Sequence, residues 1–237
     1  RIISFELNPV QILGHRYRVQ ELLGRGWEGE VYKVKERVTG IERAAKLIFP
    51  HRNTRGKALL SYARKLNKLK DVPVIIQYHH MDTTKIEDRE IQFLVSEYVD
   101  GEQLSSFQAS QAGKRFSSFE ALHILHAIAS GVAPIHQRGE YHGDLHTDNV
   151  IIRRKGLGFQ VKLLDFFDFG RPSRVKIQSD VLLLVDILWE LIGGARWYSR
   201  TEPEIKKIVC GRKSSLILRK FQTAGQLTNF LNNLHWS

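Results

Sequence analysis

Residues 141–149, Y-H-G-D-L-H-T-D-N, and residues 161–167, V-K-L-L-D-F-F, gather the side chains best suited to chemistry in this chain. They hold Asp144, an Asn five residues on at position 149, and Asp165 at the end of an apolar run. Carboxylates accept protons, and carboxylate and amide oxygens bind divalent cations. Upstream, G-R-G-W-E-G places Gly24, Gly26 and Gly29 just before E-V-Y-K-V. Glycines let backbone N–H groups come close to phosphates, although a glycine-containing hairpin turn has the same look. Lys46, in A-A-K-L, reads by itself as an exposed lysine near a strand end.

The elements that must position these residues follow from pattern. Strands are expected over 17–23, 31–38 and 42–49, with Pro50 ending the third. A basic amphipathic helix is expected over 52–70, with apolar residues at helical spacing, closed by Val72-Pro73. Further strands are expected over 74–80 and 91–98, separated by a charged turn around 85–89. The remainder reads as mostly helix. Residues 118–138 form a long helix with Ser117 or Ser118 as N-cap and Gly139 as its stop. A short hairpin spans 150–152 and 159–164. An apolar helix over 179–192 ends at Gly193-Gly194, and a last helix covers 223–234.

The chain has 237 residues, 42% apolar and 26% charged, as in an ordinary globular protein. With 36 Lys plus Arg against 25 Asp plus Glu, the net charge of +11 favours polyanionic partners. Nucleic acid is the weakest of these readings, because it rests on charge alone. One cysteine, Cys210, excludes an internal disulfide and gives a reducing, cytoplasmic location as the expectation. The longest apolar run, 181–191, is broken by Asp186 and Glu190 and is too short to cross a bilayer, so no membrane role is expected. A start at Arg1 without Met reads as a domain from a longer chain.

Gly loop, Lys46, the stretch F-L-V-S-E-Y-V-D-G over 93–101, H-x-D-x-x-x-x-N, D-F-x and S-D-V occur in that order between residues 17 and 194. The set resembles the protein kinase-like superfamily. Its N-terminal part is similar to bacterial-type Ser/Thr protein kinases and its catalytic loop to aminoglycoside phosphotransferases. The resemblance implies an α+β, bilobal fold over residues 1–237. A small antiparallel β-sheet N-lobe with one helix would reach about residue 98, a hinge would occupy 97–101, and a mainly helical C-lobe 102–237. It implies ATP and Mg2+ as ligands. Gly24, Gly26 and Gly29 would cover the phosphates, Val31 the adenine, and Ala44 would leave the adenine room. Lys46 would contact phosphates, Ser96 would be the gatekeeper, and the backbones of Glu97 and Val99 would bond the adenine edge. Asp144 would accept the substrate hydroxyl's proton, while Asn149 and Asp165 would hold the metal. Asp168 opens a literal D-F-G, but its position relative to the strand favours Asp165. His142 and Asp180 would be structural, Asp180 bracing the catalytic loop, and Asp148 a solvated loop residue.

Four departures from the pattern bear on function. Residues 43–85 contain no Glu, and Lys65 stands where the family's helix Glu would hold the strand lysine. Lys46 is then left to Asp165, to phosphates, or to Glu28 or Glu30. Gly143 replaces the Arg of H-R-D, and only a short segment separates Asp165 from Asp180, with no A-P-E, so an activation-loop switch is not expected. His146 replaces the usual Lys and would contact the transferring phosphoryl group as a weaker, pH-dependent cation. The leading expectation is an ATP-dependent kinase of Ser/Thr in a protein substrate. A small-molecule kinase and a nucleotide-binding pseudokinase are the alternatives.

Overall fold

The computed structural model describes residues 2–156, 158–166 and 170–235. The chain divides into two compact units, one of residues 1–70 and 76–99, the other of residues 71–75 and 100–237.

The first unit is a six-stranded antiparallel sheet with one α-helix. Its strands are β1 (Ile12–Leu13), β2 (Tyr17–Arg25), β3 (Gly29–Glu36), β4 (Glu42–Ile48), β5 (Tyr78–Ile86) and β6 (Arg89–Glu97), with α1 (Lys57–Lys68) between β4 and β5. The spatial order is β1-β2-β3-β4-β6-β5. The β5–β6 hairpin turns at Glu87 and Asp88, whose φ values of 49° and 59° suit a tight two-residue hairpin turn. Strand alternation puts Tyr32, Val34, Ala45, Leu47, Phe93 and Val95 on one face, where they form a buried core with Tyr17 and Val19. Ile2, Phe5 and Leu7 complete that core. The opening residues thus cover one face of the sheet, which no sequence periodicity announced.

The second unit is mainly helical. It contains a small antiparallel sheet of β7 (Glu102–Gln103), β8 (Val150–Lys155) and β9 (Gly158–Leu163), in that order. Its helices are α2 (Leu104–Ser110), α3 (Ser118–Gln137), α4 (Arg174–Leu191), α5 (Ala195–Tyr198), α6 (Pro203–Val209), α7 (Ser214–Lys220) and α8 (Ala224–Asn232). Ser117 caps α3 in a full capping box with Glu120, satisfying two helix-end N–H groups at once. The Arg154 guanidinium beside Glu120, with the Ser117 hydroxyl, holds the Glu120 carboxyl below the usual range despite some burial. The α3 helix is apolar along most of its length and carries Leu122, Leu125, Ile128, Ala129 and Val132 into the core.

Three expected boundaries move. The helix expected over 52–70 starts at Lys57, after a short 3-10 turn. The apolar helix starts at Arg174, five residues early, with Ser173 accepting a bond from the Lys176 N–H. The strand expected over 74–80 does not form as one piece. Its first residues belong to the second unit: the Leu163 N–H donates to Val74 O at 2.8 Å, and Lys162 Nζ to Ile75 O at 3.1 Å. Gly131 on α3 makes room for Val74, since a Cβ there would lie 2.3 Å from a Val74 methyl. A β-branched run reads as a strand locally, but its partners decide where it pairs.

Candidate active site

In the first unit, register places the expected nucleotide-contacting residues on one face of the sheet. Val31 lies directly opposite Lys46, which lies opposite Leu94. One step along, Ala44 lies between Lys33 and Ser96. Directly opposed residues share a face, and so do residues two apart on a strand. Val31, Ala44, Lys46 and Ser96 therefore face together, away from the core of Tyr32 and Phe93. The glycine loop is a tight turn in which the Gly26 N–H donates to Gly29 O at 2.9 Å. Gly29 is required by close approach: a Cβ there would lie 2.0 Å from Leu47 O. At Gly24 and Gly26 a Cβ would meet no protein atom within 4 Å. At the end of β6, the Glu97 N–H is spent on Gln77 O. Val99 takes part in no backbone–backbone hydrogen bond among the described residues.

Lys46 is almost fully buried, and a buried ammonium needs compensation. Glu28, at the tip of the glycine loop, lies 3.9 Å from Lys46 Nζ. This is one of the alternatives left open by the missing helix Glu. The α1 helix contributes the ring of Tyr62, whose centroid is 5.4 Å from Nζ, an arrangement favourable to the cation. Lys65, at the position of the family's acid, is three residues from Tyr62 on the same helix. Tyr62 was legible only as one more apolar position of an amphipathic helix. Glu28→Gln removes the loop's charge from Lys46, and a severalfold rise in KM for ATP with little change in kcat is the expected outcome of steady-state kinetics. An unchanged KM would show that Glu28 does not set Lys46.

The loop's second acid has another role. Glu30 is fully buried and accepts from Arg25 Nε at 2.7 Å, the Phe5 N–H at 3.1 Å, Ser4 Oγ at 3.0 Å and the Tyr32 hydroxyl at 2.5 Å. Burial, and then the bond to Glu30, pushes the Tyr32 hydroxyl up to about 12, so it stays a donor throughout the physiological range. A buried carboxylate is tolerable when so many donors converge on it. Glu30 therefore ties the loop to residues 4–5 and does not serve as the partner of Lys46.

In the second unit, the segment 142–149 is held from below by Asp180, on α4. Asp180 is fully buried, and its Oδ2 and Oδ1 accept from the His142 and Gly143 N–H groups at 2.7 and 2.8 Å. His136, from the last turn of α3, lies with Nε2 3.0 Å from the same carboxylate. Its Nδ1 accepts from the Ala224 N–H at 3.0 Å, which makes Nε2 the protonated nitrogen and the donor to Asp180. Sequence reasoning found Asp180 but missed His136, whose partners are 44 and 88 residues away. His142 is fully buried and packs its ring 4.1 Å from that of Phe166.

Asp144 and Asn149 come together. Asn149 Nδ2 donates to Asp144 O at 2.8 Å and to its Oδ2 at 3.1 Å. Both amide hydrogens are thereby directed at Asp144, leaving Asn149 Oδ1 as the amide's acceptor. Asn149 O accepts from the Leu164 N–H at 2.9 Å, which anchors the start of the Asp165 segment to the same loop. Asp165 has φ of 59°, the left-handed region that non-glycine residues enter at a cost and that aspartate tolerates better than most. Asp144 stays 61% exposed. His146 stands between two carboxylates, 3.6 Å from Asp144 Oδ2 and 3.7 Å from Asp148 Oδ2, and Asp148 is itself exposed. Asp168 lies outside the described residues.

The expected glycine loop, lysine and adenine-edge residues thus lie on one unit, and Asp144, Asn149 and Asp165 on the other. The protein kinase domain model matches residues 17–201. Calcium-dependent protein kinase 4 of Plasmodium berghei (strain Anka) is 27% identical over 194 residues, 78% of this chain and 35% of that protein. Serine/threonine-protein kinase pkn2 of Myxococcus xanthus is 31% identical over 157 residues, 65% of this chain and 18% of that protein. The chain thus spans about a third or less of the length of these relatives. The PknI kinase domain of Mycobacterium tuberculosis superposes with a TM-score of 0.70 at 21% identity, covering 95% of this chain and 98% of that one. With its α+β architecture and the matched span, this chain belongs to the protein kinase domain family, a family of ATP-dependent phosphotransferases.

Proposed function

We propose that this domain transfers the γ-phosphoryl group of ATP to Ser or Thr hydroxyls of a protein substrate, with Mg2+. The observation that carries the reading is the pair of hydrogen bonds from Asn149 Nδ2 to Asp144, which fixes an exposed carboxylate beside an amide oxygen left for other work. Asp144 accepts the proton of the attacking hydroxyl and orients that hydroxyl. Asn149 Oδ1 and the Asp165 carboxylate suit Mg2+, which uses one or two carboxylates and completes its shell with waters and substrate phosphates. Among the described residues no group of three or more His, Cys, Asp or Glu converges as a metal site, and a shared site of this kind needs none. Bound Mg2+ would neutralise charge on the phosphate oxygens. Lys46, held by Glu28 and Tyr62, supplies a positive charge for the phosphates.

The test is transfer from labelled ATP to generic Ser/Thr protein substrates, with and without Mg2+, by wild type and Asp165→Asn. Mg2+-dependent labelling of Ser or Thr that falls by about 10²-fold or more in the variant is expected, the scale lost with a charge-stabilising group. No transfer and no autophosphorylation, beside tight nucleotide binding, would favour a scaffold instead.

A further inference from the structure

Three arginines from two separate segments gather around one tryptophan of the second unit. The Cζ atoms of Arg115, Arg200 and Arg196 lie 3.9, 5.5 and 5.7 Å from the centroid of the Trp197 ring. Arg196 and Arg200 are exposed and Arg115 is half-buried. Among the described residues no carboxylate lies within ion-pair distance of any of the three. Two acids of α4 have other partners, Asp186 with Arg212 at 2.9 Å and Glu190 with Thr147 at 3.2 Å. The cluster is built into the backbone. A Cβ on Gly193, whose φ is +90°, would lie 2.6 Å from Trp197 Cδ1 and 3.2 Å from Arg115 Cδ, so only glycine admits the stack. The Phe116 N–H donates to Leu191 O at 2.9 Å, and Gln108 Nε2 to Glu190 O at 2.8 Å, which fixes the Arg115 segment to the end of α4.

Like charges held together without a counter-ion form a site for an anion. A guanidinium stacked on a ring still presents its N–H fork, which suits carboxylates bidentately. Arg115 covers a face of Trp197, the surface a nucleic-acid base would need for stacking, so the arrangement favours carboxylates over bases. We propose that Arg115, Arg196 and Arg200 around Trp197 dock a glutamate- or aspartate-rich segment of the protein substrate. The proposal rests on the reading of this domain as a protein kinase and names the class of substrate it would prefer.

Fluorescence anisotropy of a labelled peptide carrying one Ser among glutamates, and of its counterpart with glutamines, tests docking without requiring turnover. Wild type is expected to bind the glutamate peptide at least roughly tenfold more tightly, as charge-assisted bonds allow, and less tightly as salt rises. Arg196→Gln/Arg200→Gln, at exposed positions, is expected to lose that preference while keeping its thermal midpoint and its affinity for ATP. Steady-state transfer should then show the preference in KM for peptide and not in kcat. Equal binding of the two peptides, or an unchanged preference in the double variant, overturns the proposal. Tighter binding of a single-stranded oligonucleotide, lost in the double variant, overturns it in favour of nucleic acid. Preferential binding without transfer to either peptide supports docking and removes the kinase reading alone.

Discussion

Asp144→Asn is expected to lower phosphoryl transfer by about 10²–10⁴-fold, the range typical of a lost general base, and to leave ATP affinity within about twofold. The substitution is nearly isosteric. An amide oxygen at the same place can still accept from Asn149 Nδ2, so the loop keeps its shape. What disappears is the proton acceptor and the charge 3.6 Å from His146. Parallel measurement of single-turnover transfer and nucleotide binding separates the two effects. A variant that keeps more than about a tenth of wild-type transfer would remove Asp144 from the chemistry and reopen the choice of base. Asn149→Ala gives the complementary result, because it frees the Asp144 side chain and deletes the amide oxygen together.

Asp180→Ala is expected to destabilise the domain by about 3–5 kcal/mol, the cost of breaking a buried, charge-bearing hydrogen-bond set. It strands the N–H groups of His142 and Gly143 and removes the acceptor of His136 Nε2. Buried donors without partners cost about 1–3 kcal/mol each, so the sum is large even when water enters the space. For a domain of this size the thermal midpoint falls by about 10 °C or more, readable by calorimetry. Asp180→Asn retains one acceptor oxygen and is expected to fall between. Residual activity, measured well below the midpoint, drops too, because the backbone of 142–144 carries Asp144. A midpoint within about 2 °C of wild type would mean that the loop is supported by other contacts.

Much of this was legible because the chemistry sits in short, ordered motifs. Asp144, Asn149 and Asp165 lie within 22 positions of each other, and their local pairing follows from one loop and one strand end. Val31, Ala44, Lys46 and Ser96 share a face because alternation along strands fixes faces without knowledge of the partners. The alternatives offered for Lys46 included Glu28, since the loop's acids are close in sequence to the strand that returns beside β4. What escaped depends on distant partners. Glu30 reads as a second candidate partner for Lys46 until Ser4 and Phe5 bury it and take up its carboxylate. His136 reads as a helix-end histidine until Asp180 and Ala224 engage both ring nitrogens. Residues 74–75 carry strand-forming side chains, yet they belong with β9 in the second unit and not with the β5 strand that follows them, and no local signal chooses between the two.

The strap of residues 4–5 has a consequence for traffic through the site. A glycine flap usually opens by hinging where its two strands leave the sheet. Here Arg25 on the incoming strand and Glu30 on the outgoing one are cross-strand neighbours bonded to each other and both to Ser4. The base of the flap is thereby clipped shut, and the part free to lift shrinks to the tip at Trp27 and Glu28. In the proposed reaction, release of spent nucleotide would draw on motion of that tip, the segment that carries Glu28 beside Lys46. Loss of product and loss of the Glu28–Lys46 contact would then be linked, with residues 4–5 limiting how much of the loop can take part.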